Sequence, residues 1–309
     1  MEDKKIENVI ILGGGPAGFS AALYAARAEL KPLLFTGTEL GGQVGLTSRI
    51  ENYPGFPDGV GGSELVDLFQ RNAEKFGTRI EYDTATSIDL RATPFVVKTY
   101  SSEFKTKTLI IATGASPNKL NIPGEDEFRG RGVSYCATCD GAFFKDKNVA
   151  VVGGGDSALE EGLFLTHFAA NVTIVHRRDS LRAGALLQRR ANNNSKIKFI
   201  WDTVVEAIQG QDAVESLKLK NVKSNKNSDF PIDGVFIFIG HTPNTAIFKD
   251  QLDLDARGYI VVDNRMWTNI PGVFAVGEVA DPHYRQVITS AGMGAAGAIE
   301  AVRYLENMD

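Results

Sequence analysis

Two stretches of this chain follow the same plan, and that repeat constrains the fold more than any other feature. NVIILGGGPAGFSAALYAARAELKPLLFTG begins at Asn8, and NVAVVGGGDSALEEGLFLTHFAANVTIVHRR begins at Asn148. Each opens on a short apolar run suited to a strand buried on both faces, Val9–Leu12 and Val149–Val152. Each passes through a glycine cluster into an Ala- and Leu-rich stretch of helical character. Each then returns to a second apolar run, Pro32–Phe35 and Val172–Val175. This is the β-α-β order written twice. The unit is too long, and its copies too few, for a solenoid. The expectation is an α/β fold of two Rossmann-like nucleotide-binding domains of the three-layer ββα kind.

The connections predict how the two are joined. Thr108–Ser116 reads as a further strand ending in a glycine turn, followed by the polar, Pro-containing crossover PNKLNIPGEDE. Ile232–Thr245 reads as a strand and the crossover back, and Gly272–Val279 as a late strand. The second domain, residues 118–244, is therefore expected to be inserted within the first, residues 1–117 and 245–309. The uncharged stretch Val9–Ala26 raises the question of a membrane span, but Gly13, Gly14, Gly15, Pro16 and Gly18 sit in its middle. It reads instead as strand, turn and helix. The start, MEDKKIEN, lacks the cationic opening of a signal peptide, which suits a cytoplasmic protein. A net charge of −5 argues against a general nucleic-acid binder, which needs a basic face for phosphates.

The glycine clusters carry the first chemistry. In Gly13-x-Gly15-x-x-Gly18 the first glycine permits the tight turn and the second lets a pyrophosphate approach the backbone. The third lets helix and strand pack closely. The helix N-terminus then offers N–H groups to the phosphates. Gly153-x-Gly155-x-x-Ala158 repeats the pattern, with alanine in the third place. The two cradles imply two dinucleotides, or one dinucleotide and a decayed site. The ends of the second strands discriminate further. After Val175 stand His176, Arg177 and Arg178, with Arg182 one turn on, and no acid at the strand end. Arginine there suits a 2′-phosphate and favours NADPH over NADH. The first unit has Thr36, Gly37, Thr38 and Glu39, with no basic cluster, which suits FAD better than NADP.

The only two cysteines are Cys136 and Cys139. A structural zinc needs about four ligands. The four histidines, at 167, 176, 241 and 283, offer no second pair. Inert buried thiols are the plainer alternative. A redox dithiol is favoured because closely spaced thiols can close a disulfide, and this pair accompanies two nucleotide cradles. Asp140 follows at once. It suits a helix N-cap, and it suits a proton shuttle for thiol–disulfide exchange, two roles that are compatible.

Together these residues resemble the low-molecular-weight, bacterial-type thioredoxin reductases of the pyridine nucleotide-disulfide oxidoreductase class II family. The matching runs are GGGPAG at Gly13, TGTELGGQ at Thr36, ENYPGFP at Glu51 and IIATGA at Ile110. CATCDG at Cys136, GGGDSALEE at Gly153, HRRDSLRA at His176, IGHTPNT at Ile239 and YRQVITSAG at Tyr284 complete the set. The resemblance covers essentially the whole chain, and the order and spacing of the runs make it specific.

The resemblance implies a homodimeric thioredoxin-disulfide reductase in which electrons pass from NADPH through FAD to the Cys136/Cys139 pair and on to thioredoxin. For FAD it implies Gly13, Gly15, Pro16, Ala17, Gly18, Thr36, Gly37, Glu39, Gly41, Gly42, Gln43, Asn52, Ala112, Thr113 and Gly114, with Gly277, Glu278, Arg285, Gln286 and Val287 from the end of the chain. For NADPH it implies Gly153, Gly155, Asp156, Ser157, His176, Arg177, Arg178, Arg182, Ile239 and Gly240. Cys139 is implied to face the flavin, Cys136 to attack thioredoxin, and Asp140 to serve as acid and base. It also implies rotation of the NADPH domain about hinges near 117 and 245. The chain departs from the family at Glu278, where Asp is usual, and at Asp156, where Asn is common. The alternatives are a flavin-dependent disulfide reductase for another protein partner and a non-catalytic nucleotide-binding redox sensor.

Overall fold

The structure, a computed structural model, describes residues 5–47 and 49–308. It divides into two compact units. The first takes residues up to Ser116 and those from Thr242 onward, and the second takes Pro117–His241.

The chain enters the first unit on β1 (Ile6–Leu12), which stops where Gly13 turns at φ +115°. Helix α1 (Pro16–Arg27) returns the chain to β2 (Leu33–Phe35). After the short α2 (Gly42–Gly45) and the amphipathic α3 (Gly62–Lys75) come β3 (Arg79–Glu81), β4 (Ala85–Asp89), β5 (Phe95–Thr99) and β6 (Glu103–Ile111). The sheet order is β3-β2-β1-β6-β5-β4, parallel from β3 to β6 and antiparallel beyond. The chain leaves through β7 (Ala115–Pro117).

The second unit opens on β8 (Val133–Ser134) and the single turn α4 (Ala137–Asp140). It continues through β9 (Asn148–Val152), α5 (Asp156–Leu165), β10 (Asn171–Val175), α6 (Ala185–Asn192) and β11 (Ile197–Ile200). A meander of β12 (Thr203–Gly210), β13 (Val214–Asn221) and β14 (Asn227–Pro231) precedes β15 (Gly234–Ile237). The central sheet, β11-β10-β9-β15-β8, is parallel throughout. Its alternate residues explain the three layers. Val149, Val151, Ile174 and Phe236 bury toward the helices. Ala150, Val175, Val235 and Ile237 bury toward Val205, Ile208, Leu217 and Leu219 of the meander.

The chain returns through β16 (His241–Pro243), paired with β7, and closes the first unit with β17 (Val273–Ala275) and α7 (Val287–Glu306). Strand β6 carries β1 along one edge. On the other it carries β5 near its start and β17 at its end. The last segment thus completes the same sheet as the first. Small residues make this possible: Gly294 of α7 lies so close to α1 that a Cβ there would stand 2.1 Å from the Ala17 carbonyl oxygen. Phe19 of α1, 1% exposed, is worth about 2–3 kcal/mol in that core. None of the helices among the described residues is long and apolar enough to cross a membrane.

Candidate functional site

The first cradle gives each glycine the physical reason expected of it. A Cβ on Gly13 would lie 2.2 Å from the Ala112 carbonyl oxygen, and one on Gly18 would lie 1.8 Å from the Gly13 carbonyl oxygen. At Gly15 a Cβ would meet nothing within 4 Å, so the backbone there faces open space. Gly15 caps α1 without a side-chain bond, and Pro16 begins the helix, so the N–H groups of Ala17 and Gly18 have no side-chain cap. This is a surface that a pyrophosphate can approach closely.

The remaining first-unit residues gather round it. Gly13 and Gly14 donate to the carbonyls of Phe35 and Thr36 at 2.8 and 2.9 Å, and Gly41 donates to the Gly14 carbonyl at 2.9 Å. The strand-end residues Thr36 and Gly37 and the Gly41–Gln43 turn therefore border the cradle, with Glu39 exposed between them. Gly277, at φ +73°, would bring a Cβ within 2.8 Å of the Ala17 Cβ. Asn52 donates from Nδ2 to the Gln286 Oε1 at 3.1 Å, which ties the ENYPG run to the turn before Val287. Thr113 donates to the Asn244 carbonyl at 2.9 Å, beside Gly114 at φ +69°.

Sequence reasoning passed over Asp281. Its Oδ1 accepts the N–H groups of His283 and Tyr284 at 2.9 and 3.0 Å, and its Oδ2 accepts that of Arg285 at 3.2 Å. It shapes the loop that puts Arg285 at φ +51°. The signal was present, since Asp-Pro is a turn initiator. Glu278 is half-buried in a 3-10 turn. Burial, with Asp281 nearby, lifts it from 4.5 to about 7 against the opposing charge of Arg285.

The second cradle has the same geometry with different walls. A Cβ on Gly153 would lie 2.5 Å from the Phe238 carbonyl oxygen, and one on Gly155 would meet nothing within 4 Å. Ile239 and Gly240 follow Phe238 directly, with Gly240 at φ +107°. A Cβ on Gly154 would strike the His176 ring at 2.3 Å. His176 is buried, and its Nε2 meets the Ser180 carbonyl at 3.1 Å. Burial, with Arg178 and Arg182 near, pulls its pKa down and favours the neutral ring. The turn carrying the arginines is stitched to the cradle: Arg182 and Ala183 donate to the Gly154 carbonyl at 2.8 and 3.2 Å. Asp156 Oδ1 accepts the Gly184 N–H at 2.7 Å. Ser157 is half-buried in the first turn of α5, whose N-cap is Gly155 with no side-chain cap bond. Arg177, Arg178 and Arg182 are exposed, and no carboxylate among the described residues pairs with them. Asp179, which lies among them in sequence, pairs with Lys223 at 2.9 Å. These donors fit a 2′-phosphate.

The cysteine pair spans the start of α4, just after β8. Cys136 and Cys139 form a disulfide with Cα atoms 5.3 Å apart. Cys136 is the N-cap of α4, and its Sγ accepts the Cys139 N–H at 3.2 Å. Ala137 donates to the Glu161 Oε2 at 3.2 Å, which ties α4 to α5, the helix whose N-terminus is the second cradle. Asp140 does not cap a helix through its side chain. It ends α4, and its carboxylate turns back to the Ser134 hydroxyl at 2.6 Å. Burial raises its pKa, and the Ser134 bond opposes that rise.

Residues 7–294 match the family described as pyridine nucleotide-disulphide oxidoreductase. A thioredoxin reductase of Streptomyces coelicolor is 50% identical over 303 residues, covering 97% of this chain and 94% of that one. A bifunctional thioredoxin reductase/thioredoxin of Mycobacterium leprae is 47% identical over 97% of this chain, which spans 66% of that longer protein. The crystal structure of thioredoxin reductase from Streptococcus pyogenes superposes with a TM-score of 0.94 at 45% identity, covering 99% of this chain and 100% of that one. Two cradles of matching geometry, a disulfide on the second unit and likeness along nearly the whole chain place this protein in the pyridine nucleotide-disulphide oxidoreductase family, among the thioredoxin reductases.

Proposed function

We propose that this protein is an NADPH-dependent flavoprotein that reduces the disulfide of a thioredoxin through Cys136 and Cys139. The observation that carries the reading is the disulfide itself, closed between half-buried cysteines one turn apart, with the half-buried carboxyl of Asp140 at the end of the same turn. When bound, NADPH and FAD supply the two electrons that open this disulfide. The first-unit glycines with Asn52, Gln286 and Arg285 would hold the flavin nucleotide, and the second-unit cradle with Arg177, Arg178 and Arg182 would hold the nicotinamide nucleotide. The resemblance assigns these roles, and the open space at Gly15 and Gly155 supports them.

The residues of the chain carry the rest. The opened pair holds one thiolate and one thiol. The Cys139 N–H directed at the Cys136 Sγ favours negative charge on that sulfur. Cys136 thiolate attacks one sulfur of the thioredoxin disulfide, forming a mixed disulfide and expelling a thiolate. Asp140, whose carboxyl is shifted toward the protonated form by desolvation, gives that leaving sulfur its proton. The Asp140 carboxylate then takes the proton of the Cys139 thiol, and Cys139, now a thiolate, attacks the Cys136 sulfur. This restores the Cys136–Cys139 disulfide and releases the second thioredoxin sulfur, which takes its proton from solvent. Thioredoxin gains two electrons and two protons, and the chain returns to its starting state.

The fused relative, whose name joins the two activities, supports thioredoxin as the partner. A homodimer in the cytoplasm, and rotation of the second unit about the two crossings, complete the reading. The test is Cys136→Ser in the flavin-loaded protein. NADPH should still bleach the flavin, while reduction of thioredoxin falls to background. Wild-type turnover by this variant would overturn the assignment. Failure of NADPH to bleach the wild-type flavin would leave only a nucleotide-binding sensor.

A further inference from the structure

We propose that Ser134 is the positioning residue for Asp140, a hydroxyl that serves the carboxyl in both of its protonation states without moving any heavy atom. The inference deepens the proposed function and rests on Asp140 handling a proton there.

Ser134 lies at the end of β8, 4% exposed, and its position is fixed by the parallel register with Phe236 of β15. Three polar contacts converge on its Oγ. The Cys136 N–H donates to it at 3.1 Å, the Asp140 Oδ2 stands 2.6 Å away and the Cys136 carbonyl oxygen 3.2 Å away. A hydroxyl has one proton to give and two lone pairs with which to accept. Here it faces two acceptors with one proton. With Asp140 ionised, that proton points to the carboxylate, in a short charge-assisted bond. With Asp140 protonated, the carboxyl donates to Oγ, and the hydroxyl proton swings to the Cys136 carbonyl. In both states the hydroxyl gives its proton and keeps the bond from Cys136.

The surroundings leave this task to Ser134. Against α4 pack α5 and the turn Gly141–Phe144, which has no titratable side chain. On α5, Asp156 and Glu160 are exposed, and Glu161 is turned to the Ala137 N–H. Burial pushes Asp140 toward the neutral form, and the Ser134 bond is what opposes it. Removing the hydroxyl takes a bond chiefly from the ionised state, so the pKa of Asp140 must rise.

The experiment follows the Asp140 carboxyl directly, in flavin-loaded protein carrying 13C at the aspartate carboxyl carbons. The signal is assigned by its loss in Asp140→Asn. Ser134→Ala should move its midpoint upward by about one pH unit. The isosteric pair Ser134→Thr and Ser134→Val compares a hydroxyl with a methyl at equal volume. Thr should hold the midpoint near wild type, and Val should raise it as Ala does. The ionisation seen in the pH dependence of thioredoxin reduction should shift by the same amount, and the Asp140→Asn background should abolish the shift. A midpoint common to Thr and Val, or unmoved in Ala, would overturn the proposal. Because the titration needs no turnover, it still tests Ser134 if thioredoxin proves not to be the substrate.

Discussion

The two cradles are built on one backbone plan and differ in what they let near the phosphates. Both turn through a glycine at positive φ, and both leave the second glycine facing open space. The third position separates them. Gly18 lies on the Gly13 carbonyl with no room for a methyl, whereas Ala158 occupies the corresponding place in the second unit, fully buried. The helix starts separate them again. The first turn of α1 holds no acid, and the first turn of α5 holds Asp156. The first unit closes tightly round its helix and adds α7 from the far end of the chain. The second stands its helix off and adds an arginine turn. The glycine pattern identifies a cradle. The residues beside it decide which nucleotide the cradle accepts.

The comparison breaks most readily at Gly18. Gly18→Ala copies the second unit into the first, but its methyl would stand 1.8 Å from a backbone oxygen. The expected cost is about 3 kcal/mol or more, read as a lower urea midpoint and loss of bound flavin. A variant with wild-type stability and full flavin content would mean that the close approach of α1 is dispensable. Next in size is the arginine turn. Arg177→Ala with Arg178→Ala should lower the NADPH-over-NADH ratio in kcat/KM by about 10- to 100-fold. An unchanged ratio would reduce the turn to a solvated surface.

The cradles were legible because positive φ and close backbone approach leave a residue-type signature, and Gly13, Gly18 and Gly153 obey it. The strands were legible because a parallel sheet buried on both faces needs unbroken apolar runs such as Val149–Val152. What could not be read were polar groups whose partners lie across the fold or at an unremarked spacing. Asn52 meets Gln286 across most of the chain, and only the resemblance named both. Ser134 stands two residues before the cysteine pair and follows no motif rule. Its meaning comes from α4 turning Asp140 back onto it. Asp140 read as a capping residue from its place before a turn. A cap needs the side chain aimed at the next N–H groups, and here burial and Ser134 aim it elsewhere.

Two half-buried acids extend the comparison to pH. Asp140 of the second unit has a hydroxyl for company, and Glu278 of the first feels the opposing charges of Arg285 and Asp281. Burial lifts Glu278 from 4.5 to about 7. The folded state then binds more protons than the unfolded state between those values, so stability falls as pH rises through the window. Urea unfolding should give a protein about 1–3 kcal/mol more stable at pH 5 than at pH 8 from this group. Glu278→Gln should remove that slope. A slope that survives the substitution would place its origin in another group.

The smallest effect belongs to Asp156, and it isolates charge from shape. Its Oδ1 accepts the Gly184 N–H at 2.7 Å, a bond that starts α6 and holds the end of the arginine turn. An amide oxygen accepts that bond as well, so Asp156→Asn leaves the turn in place and removes one negative charge from the helix end proposed to face the phosphates. The dipole already attracts an anion there, and the carboxylate works against it. The variant should bind NADPH about two- to fivefold more tightly at low salt, with the gain shrinking as salt screens the charge. Asp156→Ala should forfeit part of this, because it also releases the Gly184 N–H and loosens the arginines. Tighter binding by Asn than by Ala, fading with salt, is the pattern of a carboxylate kept for its bond and tolerated for its charge. Equal binding by Asn and Ala would mean the Gly184 bond holds nothing that NADPH touches, and the two helix starts would then differ by charge alone.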